Sequence, residues 1–368
     1  MTDKVLCVVG TRPEVIKMAP VVHALRAAPE LAVTVLCSGQ HRELPGPLME
    51  WFELAFDADL GAMSENQSLA RLTARLMEVF ERQLTRERPD LVLVQGDTTT
   101  VMCAALCCFY LDIPVGHVEA GLRTFDLRNP FPEEFNRVAV TRLARLHFCP
   151  TARAKENVLA ERAAPAAVYV TGNTVIDALQ FTVRKLGHGT PRQFDHDILV
   201  TAHRRENFGA PLASICAALR ELCAIYPSLR ILYPVHPNPN VRTAVEQALG
   251  SHPRIALVAP LPYPDLVAAM QQSRLILTDS GGLQEEAPAL GKPVLVLREI
   301  TERPEAVELG VAKVVGTQCA SIVAETRRLL DEPEYYARFA RGGSPYGDGH
   351  AAARISDAVR DFLRQRAK

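Results

Sequence analysis

The sequence carries no excess of charge: 41 lysines and arginines stand against 42 aspartates and glutamates, a net −1 at neutral pH. Without an overall field there is nothing to draw in a nucleic acid or an anionic membrane, so any anionic ligand must be held by local groups. No apolar run approaches the roughly 20 residues of a membrane-spanning helix, and the opening MTDKVLCVVGTRPE does not have the layout of a cleavable signal. A cytoplasmic protein, with neither a nucleic-acid nor a membrane partner, is expected. No C-x-x-C pair has a matching Cys/His partner, which removes the usual zinc patterns. His117-Val118-Glu119 offers two ligand types without a third, so no metal is expected. The nine cysteines are odd in number and fall largely in apolar stretches such as VMCAALCCFY, and they read as reduced, buried small hydrophobes.

What is present is a folded protein's composition, 48% hydrophobic and 23% charged, with a length that suits two domains. Short apolar runs alternate with longer amphipathic stretches: KVLCVV, VTVLC, LVLVQ, PVGHV, HFCP and VYVTG, then DILVTAH, RILYPVH, IALVAP, LILTDS and PVLVLR. Such runs, without polar alternation, fit strands buried on both faces of a parallel sheet. Residues 66–87 and 211–225 carry helical spacing. The fold class is therefore α/β, and the polar segment GHGTPRQFDHD marks a linker between two Rossmann-like domains. Residues 1–180 form the first and 181–349 the second. A final helix over 350–368, with Ala353, Ile355, Val359 and Phe362 apolar, packs back to complete the first.

Ligands of open parallel sheets bind beyond the carboxyl ends of the strands, and each conspicuous polar cluster follows an expected strand. After KVLCVV comes Gly10-Thr11-Arg12-Pro13-Glu14, then Lys17; the turn and helix start there suit a phosphate. It fits neither the G-x-G-x-x-G nor the G-x-x-x-x-G-K-S/T pattern, which argues against nicotinamide, flavin and P-loop nucleotides. Asp97 and Glu119 follow consecutive strands, and Glu133 and Glu134 lie in NPFPEEFNR. Carboxylates clustered near a bound diphosphate suit proton transfer or a developing cation, although Asp97, before three threonines, is also placed to cap a helix. In the second half, His203-Arg204-Arg205 follow one strand as phosphate partners, and His236 follows another. Ser280, Gly281 and Gly282 open a helix whose amides suit a pyrophosphate, with Glu286 one to two turns on for the ribose hydroxyls.

At these motifs the sequence closely resembles the non-hydrolysing UDP-N-acetylglucosamine 2-epimerases. GTRPEVIKMAPVVHAL, GDTTT, PVGHVEAGLRT, PFPEEFNR, TGNTVIDAL, HRREN, HPNPNVR, DSGGLQEEAPALGKPVLVLR, TERPEAVELG and PYGDG match in the family's order, over nearly the whole chain. The resemblance implies a GT-B arrangement of two Rossmann-like domains facing a central cleft, usually in a homodimer. It implies conversion of UDP-N-acetylglucosamine to UDP-N-acetylmannosamine, which supplies activated N-acetylmannosamine for cell-surface polysaccharides. Carried over by position, it makes Asp97, Glu119 and Glu133 catalytic carboxylates with His203 near the diphosphate. It places Arg12, Lys17, Arg137, His236, Ser280, Gly281, Gly282, Glu286 and Arg303 at the UDP-sugar; Glu133, Arg137 and Arg303 rest mainly on this resemblance.

Some positions depart from the family pattern. Gln40, Glu43, Gln67 and Arg204 match a second, regulatory substrate site, but Leu44-Pro45-Gly46-Pro47 would break the helix expected there, and Asn66 falls where some members have Arg. Leu266 replaces an aromatic sometimes found beneath the uracil. The reaction itself explains the acids. The carbon 2 proton is not acidified by a carbonyl, so departure of UDP to an oxocarbenium-like centre comes first, giving 2-acetamidoglucal and UDP before re-addition. No cofactor is needed. A hydrolysing relative, a GT-B glycosyltransferase and a non-catalytic UDP-sugar sensor are the alternatives; the last has no use for the carboxylates.

Overall fold

The computed structural model describes residues 2–39, 46–62, 67–187 and 196–366. Among them the chain forms two parallel sheets, each covered by helices. The first contains β1 (Asp3–Val9), β2 (Leu31–Cys37), β3 (Ala58–Asp59), β4 (Leu91–Gln95), β5 (Val115–Val118), β6 (Leu146–Cys149) and β7 (Val168–Val170), in the order β3-β2-β1-β4-β5-β6-β7. The second contains β8 (Ile198–Thr201), β9 (Ile231–Pro234), β10 (Ile255–Val258), β11 (Leu275–Thr278), β12 (Val294–Val296) and β13 (Ala312–Val314), in the order β10-β9-β8-β11-β12-β13. Every residue of β4, β5, β6 and β11 is buried, which is why these segments read as unbroken apolar runs. Two strands escaped the sequence reading. β3 has only two residues, Ala58 and Asp59, and β13 carries Lys313 at its centre, so neither makes an apolar run.

The chain divides into two compact units, Met1–Ala178 with Tyr346–Lys368, and Leu179–Pro345. The division falls inside the helix Thr174–Leu186; residues 188–195 of the expected linker lie outside the described residues. The closing helix Ala351–Arg366 packs on the helix Arg12–Arg26, with Ser356 Oγ donating to Ala24 O at 3.3 Å and Arg360 Nε to Glu30 Oε1 at 2.6 Å. Its buried face holds Ile355, Ala358, Val359 and Leu363, whereas Ala353 is exposed and Phe362 only half-buried, so the apolar stripe is rotated from the one expected. The return to the first unit is pinned where Gly172 meets Gly347: a Cβ on Gly172 would fall 3.1 Å from Gly347 Cα. Asn173 N donates to Tyr346 O at 2.5 Å, and Asp177 accepts from the amides of Ala351 and Ala352, at 3.2 and 2.9 Å.

All nine cysteines carry free thiols, eight of them buried, and burial pushes several of these thiols up to about 12. Among the described residues no helix is long and apolar enough to cross a membrane.

His117 and His147 are register neighbours on β5 and β6, both buried. Burial disfavours their charged forms and pulls the imidazoles down, to about 3 and about 4. In the unfolded chain they titrate near 6.5, so stability is fully present above that pH and lost as it falls toward 4, by about 1.4 kcal/mol per pH unit for each histidine. Urea unfolding of His147→Phe should show a shallower loss of stability between pH 6.5 and 4 than the parent chain; equal slopes would exclude His147 as a source.

Candidate active site

In the first sheet the strand order reverses between β1 and β4, and in the second between β8 and β11, the switch points at which α/β sheets open a crevice. Arg12 and Asp97 follow β1 and β4; His203 and Ser280 follow β8 and β11.

Arg12 opens its helix, is exposed, and has no ion pair among the described residues. The turn before it corrects one expectation. The amides of Gly10 and Thr11 are not open to a phosphate, because Glu14 folds back and accepts from both, the second at 2.8 Å. Thr98 donates its hydroxyl to the other Glu14 oxygen at 2.6 Å. Glu14 is 2% exposed, and burial pushes its carboxyl up to about 7 against the pull of those hydrogen bonds. The cap of the helix Thr99–Tyr110 is Thr98, whose Oγ1 accepts from Val101 N, which leaves the Asp97 carboxylate for other contacts.

Glu119 is the most constrained acid. Its backbone takes φ 65°, a region that non-glycine residues rarely occupy and that concentrates at functional sites. Lys17 Nζ reaches both of its oxygens, at 2.7 and 2.6 Å, Gln95 Nε2 donates to Oε2, and Asn173 Nδ2 lies 3.3 Å from Oε1. Asp97, one strand over, is held by Arg137, with Nε at 2.9 Å and Nη2 at 2.7 Å from Oδ2. Arg137 Nη1 also donates to the fully buried Glu134 at 3.0 Å, whose other oxygen accepts from the amides of Thr124 and Phe125. Glu134 therefore orients Arg137. Its neighbour Glu133, half-buried at the start of the helix Glu133–Leu143, has no ion pair among the described residues. His117 and Glu119 do not converge as ligands would: His117 Nε2 donates to Gly96 O at 2.7 Å.

In the second unit Asp279, 0% exposed, accepts at Oδ2 from the amides of His203 and Arg204, both at 2.8 Å, and from Asn207 Nδ2 at 2.9 Å. This fixes the turn after β8. The His203 ring stacks on His236, centroids 5.5 Å apart, and its Nδ1 lies 3.3 Å from Asp279 Oδ1. Burial pulls the His203 imidazole below its usual value, with Asp279 opposing and His236 and Arg204 adding to the effect.

Ser280 precedes the helix Gly281–Ala289 without a side-chain cap, so the first amides of that helix keep no internal carbonyl partner. Gly281 packs on the Arg303 guanidinium: a Cβ there would sit 2.7 Å from Cζ. Arg303 donates to Glu285 at 2.7 Å and lies 3.0 Å from Glu302, which also meets Arg298 at 2.5 Å and Arg204 at 3.6 Å. Burial alone would raise the Glu302 carboxyl, but the three arginines bring it down to about 2. Glu286 is buried, with Tyr263 donating to Oε1 at 2.7 Å and Oε2 toward Gly282. Leu266 is half-buried on the helix that Tyr263 begins.

Of the regulatory candidates, Gln40 and Glu43, like Asn66, lie outside the described residues. Gln67 precedes Ser68, the cap of the helix Leu69–Glu87, and Arg204 joins Glu302. Sequence reasoning passed over Glu14, Gln95, Asn173, Asp279, Glu285 and Glu302. Each lies inside or beside a quoted motif, and a buried-strand edge carrying a lone acid was the available signal for Asp279.

A family model described as UDP-N-acetylglucosamine 2-epimerase matches residues 23–360. The chain belongs to that family. It is 46% identical to the UDP-N-acetylglucosamine 2-epimerase of Escherichia coli O157:H7 over 97% of this chain and 98% of that one, and 46% identical to that of Bacillus subtilis over 97% and 94%. Among solved structures, a Neisseria meningitidis UDP-GlcNAc 2-epimerase bound to UDP-GlcNAc is 44% identical, with a TM-score of 0.93 over 97% of this chain and all of that one. The two parallel-sheet α/β units are thus similar to those of a solved UDP-GlcNAc 2-epimerase.

Glu302 is the test of the arginine cluster. Glu302→Gln would leave three guanidiniums facing one another around a neutral group, an expected loss of about 2–4 kcal/mol in denaturant unfolding. An unchanged midpoint would mean that the arginines are balanced elsewhere.

Proposed function

We propose that the protein interconverts UDP-N-acetylglucosamine and UDP-N-acetylmannosamine without hydrolysis, acting as a homodimer in the cytoplasm. The observation that carries the reading is the pair of carboxylates at the ends of adjacent strands, Asp97 and Glu119, each held by its own cation. A sugar nucleotide divides chemically as these residues do. The second unit offers groups for the nucleotide: the uncapped helix start at Ser280-Gly281-Gly282 for phosphate, Glu286 for ribose hydroxyls, and His203, His236 and Arg303 nearby. The first offers groups for a sugar that turns cationic and loses a proton.

In this reading Arg12 and His203 stabilise negative charge growing on the departing diphosphate, an electrostatic contribution of about 3 kcal/mol per well-placed group. The C1–O bond breaks with its electron pair leaving on UDP. Asp97 and Glu119, paired with Arg137 and Lys17, stabilise the oxocarbenium-like carbon, and one of them accepts the carbon 2 proton, giving 2-acetamidoglucal. UDP then adds back at carbon 1 while a proton returns to the opposite face of carbon 2. Two faces need two groups, and Glu133, which carries no ion pair among the described residues, is the candidate for the second. Retaining the glucal until UDP returns separates this route from hydrolysis. The dimer and the compartment rest on the family resemblance.

Incubation with UDP-N-acetylglucosamine in deuterated water, followed by NMR, should give UDP-N-acetylmannosamine bearing deuterium at carbon 2. Free N-acetylmannosamine with UDP would select the hydrolysing reaction, and no exchange would sink the enzymatic reading for this substrate. Asp97→Asn, Glu119→Gln and Glu133→Gln should each reduce kcat by about a hundredfold or more. Near-normal turnover in all three would remove the carboxylates from the chemistry.

A further inference from the structure

Glu14 is a buried acid at the first switch point that the reaction above does not use. Its two oxygens face different elements. Oε2 accepts from Gly10 and Thr11, in the turn after β1, and Oε1 accepts from the Thr98 hydroxyl, in the turn after β4. Arg12 is the next residue on the first turn, and Asp97 immediately precedes Thr98 on the second. The surroundings are closely fitted. A Cβ on Gly10 would fall 2.5 Å from Ser38 Oγ and 2.7 Å from Thr100 Oγ1, two hydroxyls themselves bonded at 2.9 Å.

We propose that Glu14 and Thr98 are positioning residues for the epimerisation, a hydrogen-bonded clasp that sets Arg12 in register with Asp97. The inference rests on the function proposed above, which gives Arg12 the leaving group and Asp97 the reacting carbon. Displacing such groups by about 1 Å can cost a hundredfold in rate, while binding through the rest of the substrate is kept. The clasp does not depend on one protonation state. With the carboxyl pushed up to about 7 it is partly protonated near neutrality, and the Thr98 hydroxyl, both donor and acceptor, can reverse its role. Asp97, which faces Glu14 and raises it, is itself held by Arg137.

Thr98→Val removes only the hydroxyl, and Thr98→Ser keeps it. Thr98→Val should lower kcat by about ten- to a hundredfold with KM little changed, and Thr98→Ser should restore it to within about threefold. Because Thr98 also caps a helix, a shift in Tm alone is no support. The deciding measurement repeats Thr98→Val in an Arg12→Ala background. If the clasp acts through Arg12, the second substitution adds little; a full, additive loss marks a general structural role and overturns the proposal. Equal kcat for Thr98→Val and the parent chain overturns it too. Should Thr98→Val fail to fold, Glu14→Gln, which keeps an acceptor for the amides and a donor for Thr98, is compared with Glu14→Ala in the same way. If the parent chain does not turn over UDP-N-acetylglucosamine, the function is wrong and the clasp is judged by amide exchange at Gly10 and Thr11. Faster exchange in Thr98→Val than in Thr98→Ser supports it; identical exchange overturns it.

Discussion

The contact between Lys17 and Glu119 spans 102 residues of sequence and three strands of the first sheet, and the polar edge of that unit is arranged around it. Glu119 follows β5 and Lys17 lies in the helix after β1, with β4 between them. Two strand spacings amount to about 10 Å, which a lysine closes only by reaching over the end of the middle strand. Gln95, the last residue of β4, donates to the same carboxylate on the way. The Glu119 side chain is 6% exposed, and an uncompensated charge so placed would be neutralised or would cost several kcal/mol. Strand order, helix start and charge pair therefore specify one another.

The second unit meets a related requirement with the signs exchanged. There a buried acid is the organiser and backbone is what it organises: Asp279 gathers two amides and an asparagine at the end of β8. Glu302 does the same for side chains, holding Arg204, Arg298 and Arg303 together. Both acids bring donors near the start of the helix at Gly281, Asp279 through Oδ2 and Glu302 through its three arginines. The arginines are balanced by Glu206, Glu285 and Glu302, and what is left for an anion is the uncapped start of the helix at Gly281.

The central strands were legible because burial on both faces removes polar alternation, leaving runs such as LVLVQ and LILT. The strand-end positions of Asp97, Glu119, His203 and Ser280 followed directly, since a parallel sheet puts all its carboxyl ends on one edge. Their partners were not legible. Glu14 looks like a helix-start acid and Gln95 like the last residue of a strand; that one spans two turns and the other bonds a carboxylate depends on which strands are neighbours, and sequence order is silent on that. The same holds for the expected phosphate cradle at Gly10 and Thr11, which the chain fills with its own carboxylate. Gly281 is expected to offer its amide to a pyrophosphate. Its missing side chain also makes room for Arg303, as those of Gly172 and Gly347 do for each other, contacts that only the fold discloses.

The helix that closes the chain belongs to the unit that opens it. During synthesis the ribosome releases β1 through β7 first, then the whole of Leu179–Pro345, and only afterwards Ala351–Arg366. Until then the helix Arg12–Arg26 has an uncovered apolar flank, and Asp177 awaits the amides of Ala351 and Ala352. The second unit, by contrast, is continuous and can fold as soon as it emerges. The unit made first is thus the one finished last, and a nascent chain stalled before Ala351 would hold a complete second unit and an unfinished first one.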